Sequence, residues 1–163
     1  MKGVNNMAKK KKKELEHAPS FSLIEIGTNR EVSLDDLQGK FVILTFWVSW
    51  CPDCHRDLPK KQTLYEAQQQ NKDLAFLTIN VTGREGDPDD GIRFLDSQDF
   101  TFPVLRDQEL TVYDSYGCDS VPYTVLLNRK HEIVKRFDDR SSFIEIALAL
   151  DELMKKDSKD QES

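Results

Sequence analysis

Cys51 and Cys54 stand three positions apart in Trp50-Cys51-Pro52-Asp53-Cys54. They follow the apolar run at 41–48 and precede a stretch of helical character that begins at His55. A strand feeding a helix would leave Cys51 at the helix N-terminus. Unpaired backbone N–H groups and the positive end of the helix dipole favour a thiolate there. A thiolate attacks disulfides, whereas a thiol hardly does. A second cysteine one helical turn later is close enough to displace a partner from a mixed disulfide. The spacing therefore reads as a redox dithiol. A structural zinc site would need two more ligands at recognisable spacing, and the chain offers only Cys118 and the scattered His17, His55 and His131. A tight C-x-x-C loop at a helix start is also a reactive arrangement more often than an inert disulfide.

The elements that must position these thiols can be read on either side of them. Residues 21–26 alternate as a strand, a turn at 27–30 leads to a return strand at 31–32, and the two make a small N-terminal β-hairpin. Ser33 with Asp36 three positions on predicts a short helical turn. Residues 41–48 and 74–81 lack polar alternation, as strands buried on both faces do. A helix is predicted from Cys51 to Gln70, kinked at Pro59. Strand, helix, strand implies a right-handed parallel crossover. A loop at 82–90, a second helix opening at Asp90, a short extended piece at 102–105 and a helix at 110–113 follow. Strands at 123–127 and 133–137 form an antiparallel hairpin through 128–132, and an amphipathic helix begins at Ser141, with Glu145 four residues later. The order predicts an α/β chain whose mixed central sheet is flanked by helices.

Length and composition fit one domain with a core of its own: 163 residues, 38% hydrophobic and 32% charged. Three cysteines are too few for a disulfide-stapled scaffold, and no apolar stretch approaches a membrane span. Charge is unevenly divided. Residues 1–13 hold six lysines and no acid, so the remaining 17 basic and 29 acidic side chains carry a net −12. The expected organisation is a disordered basic leader at 1–17, a folded domain at 18–154 and a disordered charged tail at 155–163. The leader looks like the start of an export signal but lacks the apolar segment that should follow. The chain as given is expected in the cytoplasm, or outside the membrane or tethered to it if its N-terminus is truncated. No nucleic-acid partner is expected. A weak hold on a membrane surface through Lys9, Lys10, Lys11, Lys12 and Lys13 is the other use of the leader.

Element order and motif together resemble the thioredoxin superfamily, and more narrowly the TlpA/ResA-like thiol-disulfide oxidoreductases grouped with redoxin and AhpC/TSA-type domains. The similarity rests on Ala18-Pro19-Ser20-Phe21-Ser22-Leu23, on Leu34-Asp35-Asp36-Leu37-Gln38-Gly39-Lys40, on 46–54 with Pro59 downstream, and on Val121-Pro122-Tyr123-Thr124. It implies a thioredoxin-like three-layer fold without a cofactor. It also implies a cis Pro122 beside the dithiol, a Val121 backbone that pairs with an extended substrate segment, and a Trp50 that walls the sulfurs. Pro52 and Asp53 would lie within the substrate surface. Thioredoxins carry a buried aspartate six residues before the first cysteine, and Thr45 occupies that position here. Cys54 then needs another base. In the ResA-like group a glutamate in the loop after the second central strand is held to serve near the cysteines, and Glu85 is the matching residue.

The leading functional expectation is a thiol-disulfide oxidoreductase. Cys51 attacks a protein disulfide, Cys54 resolves the mixed disulfide, and a partner thiol reductase reopens the Cys51–Cys54 bond. Asp53 should disfavour the thiolate and push the pair toward the reducing end. A thiol peroxidase of the AhpC/TSA type would carry threonine where Val48 stands. A soft-metal or haem-apoprotein handling module would have only His55 beside the two thiols. Cys118 is expected to be a small packed residue, and the protein a monomer.

Overall fold

The computed structural model describes residues 14–162. Its strands are β1 (Ser22–Glu25), β2 (Glu31–Ser33), β3 (Phe41–Trp47), β4 (Leu74–Asn80), β5 (Val104–Arg106), β6 (Tyr123–Leu127) and β7 (Ile133–Phe137). They lie in one sheet in the order β2-β1-β5-β4-β3-β6-β7. The helices are α1 (Pro52–Gln68), α2 (Asp90–Asp96), α3 (Thr111–Ser115) and α4 (Phe143–Glu162), with 3-10 turns at Leu34–Leu37 and Thr82–Arg84. Every residue of β3 and β4 is buried. The two pair in parallel from Phe41 with Leu74 to Trp47 with Asn80. β5 runs parallel to β4, while β1 and β6 run antiparallel to their neighbours β5 and β3, so the sheet is mixed.

Two right-handed crossovers, β3-α1-β4 and β4-α2-β5, step the same way across the sheet and so set α1 and α2 on one face. The alternation of β3 shows the two faces directly. Trp47 meets Phe94 of α2 at 5.7 Å between ring centroids, whereas Phe46, one residue back, meets Tyr113 and Tyr116 at 6.1 and 5.8 Å. The short α3 thus helps cover the opposite face, and Tyr116 ties it to the N-terminal segment through a 2.7 Å hydrogen bond from Oη to the Pro19 carbonyl. α4 packs beside α1.

Several boundaries differ from those expected. α1 ends at Gln68, and Pro59 sits within it without ending it. The extended piece expected at 102–105 is a true sheet strand that starts two residues later and ends one later. Pro103 has no N–H to give the ladder, and its carbonyl instead accepts from the Thr78 N–H and Oγ1. α4 begins at Phe143 because Ser142, three residues before Glu145, is the cap. The Glu145 N–H donates to Ser142 Oγ, and the Ser142 N–H donates to Glu145 Oε1. The expected tail at 155–163 is helical through Glu162, where Lys155 pairs with Asp151 and Asp157 with Arg129. The expected disordered leader of residues 1–17 is also too long, because Glu16 and His17 bridge to the β7 side of the fold. The lysines at 9–13 lie outside the described residues.

Gly83 shows how closely the loop after β4 is held. Its N–H donates to the Glu109 carbonyl at 3.0 Å. A Cβ there would stand 2.7 Å from the Glu109 carbonyl carbon and 2.8 Å from Leu110 Cγ. Backbone must then move, so Gly83→Ala is expected to cost about 1–3 kcal/mol, read as a lower urea midpoint. An unchanged midpoint would mean that the two segments separate freely. Cys118 is packed in the same half of the molecule, and burial pushes its thiol from an ordinary value of 9.0 up to about 12, with Arg136 opposing. A folded-state value above the unfolded one contributes stability that is complete below pH 9 and is lost as pH rises toward 12. Under reducing conditions, stability over that window should fall less steeply in Cys118→Ala than in the parent; parallel slopes would count against a buried neutral thiol.

Candidate active site

Cys51 is the N-cap residue of α1, with extended backbone (φ −86°, ψ 122°), and Pro52 fills the first helical position, where a missing N–H costs nothing. Both Cys51 and Cys54 are free thiols. Cys51 is 7% exposed and Cys54 is sealed at 0%. The peptide bond between Val121 and Pro122 is cis, and Cys51 Sγ lies 3.7 Å from the Val121 carbonyl oxygen, to which it donates. Residues 70 positions apart thus meet at the dithiol, brought there because β6 pairs antiparallel with β3.

The approach to Cys51 is clamped through Ser49. Glu85 Oε2 accepts from the Ser49 N–H at 2.8 Å, and Oε1 accepts from Ser49 Oγ at 2.6 Å. Asn80 Nδ2 donates to the same Glu85 Oε2 at 2.8 Å. From the other side His55 Nε2 pairs with the Ser49 carbonyl, while its ring stacks on Phe94 at 4.9 Å. Glu85 thus reaches the site through Ser49, two residues before Cys51, with its carboxylate engaged by Ser49 and Asn80.

Trp50 is 54% exposed, and its indole N–H donates to the Arg84 carbonyl at 2.8 Å. Its apolar face is presented at the surface next to Cys51, while Trp47 is the core tryptophan. Asp53 lies in the first turn of α1 and is ion-paired with Arg56. That pairing offsets the charge expected to oppose the thiolate. A shallow cleft of about 180 Å³ runs beside the dithiol, bordered by Asp53, Asp57, Lys60, Pro122, Asp139 and Phe143.

The acidic side chain one helical turn beyond Cys54, Asp57, is one that sequence reasoning missed. Burial raises the Cys54 thiol far above its ordinary value, a backbone hydrogen bond at Val48 opposes that, and Cys51 and Asp57 raise it further. Asp57 is one helical turn after Cys54, and Lys61 follows at four more residues. The pattern 54, 57, 61 is a single helix stripe and was the available signal. Lys61 is fully buried, with Nζ 2.7 Å from Asp57 Oδ2 and 3.0 Å from Thr124 Oγ1. Thr45, which stands where thioredoxins carry an acid, meets Thr124 hydroxyl to hydroxyl at 3.2 Å. Among the described residues, no three His, Cys, Asp or Glu side chains are grouped as a metal site, and no helix is long and apolar enough to cross a membrane.

Comparison with known proteins agrees with this geometry. The AhpC/TSA family matches residues 15–138. The chain is 34% identical to the thiol-disulfide oxidoreductase ResA of Halalkalibacterium halodurans over 120 residues, 74% of this chain and 65% of that protein's length. It is also 34% identical to the ResA of Oceanobacillus iheyensis over 139 residues, covering 83% and 67%. Among solved structures, StoA from Bacillus subtilis superposes with a TM-score of 0.66 at 29% identity, over 74% of this chain and 87% of that one. The chain belongs to the AhpC/TSA family, with a thioredoxin-like fold and relatives that are named thiol-disulfide oxidoreductases.

Proposed function

We propose that the protein is a thiol-disulfide oxidoreductase acting on protein substrates through the Cys51–Cys54 pair. The observation that carries the reading is the asymmetry of the two thiols. Cys51, at the N-cap of α1 and beside Pro122, keeps a 7% opening to solvent, and Cys54 is sealed behind it at 0%. Cys51 as thiolate attacks one sulfur of a substrate disulfide. The substrate S–S bond breaks, a Cys51–substrate bond forms, and the departing thiolate takes a proton from solvent. Cys54 then gives its proton to a base and attacks Cys51 Sγ. The mixed disulfide breaks, the second substrate thiol leaves, and the protein is left as the Cys51–Cys54 disulfide with two electrons transferred. A partner thiol reductase restores the dithiol.

Asp57 suits the role of base for Cys54, because it lies on the same helix stripe and interacts with that thiol electrostatically. The cleft beside Pro122 is smaller than the roughly 300–1,000 Å³ of small-ligand pockets. A shallow surface cleft of this size suits an extended protein segment better than an enclosed metabolite. The peroxidase alternative has little to stand on: Val48, where a peroxide-activating hydroxyl would be needed, is apolar and fully buried. Run in reverse, the same exchange oxidises a substrate dithiol, and the direction is set by the reduction potential of the pair against that of its partner.

Cys54→Ser should accumulate a covalent adduct between Cys51 and a disulfide substrate, visible by non-reducing electrophoresis and mass spectrometry, while Cys51→Ser should form none and lose turnover. An adduct through position 54 in Cys51→Ser would reverse the assignment. Glu85 serves as a positioning residue through Ser49 rather than as a base. Glu85→Gln exchanges an anionic acceptor for a neutral amide and is expected to cost about 1–3 kcal/mol of stability. Its attack rate should fall while the pH midpoint of mixed-disulfide resolution stays in place. A displaced midpoint would put Glu85 in the proton path.

A further inference from the structure

Lys61 is the one lysine among the described residues that is completely sealed from solvent. Taking an ammonium out of water costs several kcal/mol unless its partners are well placed. An apolar side chain of similar length would fill the same space without that cost. The partners here come from three elements. Asp57 of α1 supplies a carboxylate at 2.7 Å, Thr124 of β6 supplies a hydroxyl at 3.0 Å, and Thr45 of β3 braces that hydroxyl at 3.2 Å. On α1, residues 54, 57 and 61 share a face, so the cation and its carboxylate follow Cys54 down the same stripe toward the sheet. β3 and β6 contribute hydroxyls to this pocket and no charge. The titratable groups that act on one another in it are Cys51, Cys54, Asp57 and Lys61, and on its outer side Asp57 borders the cleft lined by Asp53, Arg56, Lys60 and Asp139.

We propose that Lys61 is a positioning residue for the resolving step: its buried ammonium fixes the Asp57 carboxylate for Cys54 and offsets the negative charge formed when Cys54 ionises. The proposal rests on the reading in which Cys54 resolves a mixed disulfide on Cys51. Before resolution Cys54 is a neutral thiol, Asp57 an anion and Lys61 a cation, so the three sum to zero. Moving the proton from Cys54 to Asp57 leaves the sum at zero. With methionine at 61 the same transfer takes place in a pocket of charge −1. Burial pulls the Lys61 ammonium down from its ordinary value while Asp57 and Cys54 hold it up. Coulombic attraction is mutual, so the cation favours the Cys54 thiolate in return.

The test uses 5,5′-dithiobis(2-nitrobenzoate) with the reduced full chain in stopped flow. Cys51 attack releases one thionitrobenzoate and leaves the other on Cys51, in a phase whose rate scales with reagent. Cys54 attack on Cys51 Sγ releases the second, in a phase independent of reagent concentration. Lys61→Met is expected to leave the first phase within about threefold, to slow the second at pH 7 by about tenfold or more, and to move its pH midpoint up by about one unit. Thr124→Val, which removes one acceptor from the ammonium without altering the carboxylate, should shift the second phase the same way by a smaller factor. A folded Lys61→Met with second phase and midpoint unchanged overturns the proposal. If Lys61→Met does not fold, an unchanged second phase in Thr124→Val does so. Cys54→Ser separates this from the underlying reading: if its second phase persists, Cys54 is not the resolving thiol, whatever Lys61 does.

Discussion

Two sulfurs have to come within bonding distance of each other while only one meets a partner, and this constraint organises the rest of the molecule. A helix N-cap satisfies it. Cys51 sits where the chain has left the strand and not yet entered the helix, and Cys54 is carried by the first turn of α1 into the core. The end of β3 must therefore be held firmly: its seven consecutive buried residues all pair with β4 on one side, and five of them pair with β6 on the other. Pairing with β6 also brings Val121 and Pro122 against Cys51 without further machinery.

A firm strand end would be wasted if the four residues between β3 and α1 could wander. Ser49 is where that freedom is removed. Its N–H and hydroxyl are taken by Glu85, its carbonyl by His55, and Trp50 is tied to the Arg84 carbonyl. The loop at 82–85 that supplies these partners is itself fixed, through Thr82 and Gly83, to the segment between β5 and α3. β5 and its approach, distant in sequence from the cysteines, thus reach the dithiol through a continuous set of hydrogen bonds.

Much of this was legible because it is written in local pattern. The dithiol, the buried strands at 41–48 and 74–81, the N-terminal hairpin and the hairpin of β6 and β7 all follow from periodicity and turn residues. Less legible were features that depend on what meets across the fold. From sequence β5 reads only as an extended piece, because three residues hold little periodicity and its pairing partners are β1 and β4. The C-terminal residues read as a charged tail because composition says nothing of Arg129, whose guanidinium reaches Asp157 and Asp73 from the turn between β6 and β7. Glu85 was found only through resemblance, and its contact with Ser49 rather than with sulfur is a tertiary fact. Lys61 was passed over because lysine on a helix is ordinarily solvated.

Thr45 marks where the chemistry had to be rearranged. An acid on β3 would face the resolving thiol across the gap between sheet and helix, and its placement would depend on how the two layers pack. Asp57 lies on the same helix as Cys54, so their relation is set by helical periodicity and survives small movements of α1 against the sheet. The cost of this arrangement falls on its counterion. A carboxylate on the inner face of α1 needs a cation that comes from the same helix and points inward, and Lys61, one turn further, can only be that cation by being buried. The sheet then has to receive an ammonium, which is why Thr124 and Thr45 present hydroxyls where neighbouring positions of β3 and β6 present apolar side chains. The threonine at 45 on the strand and the carboxylate and ammonium on the helix are thus parts of one hydrogen-bonded arrangement.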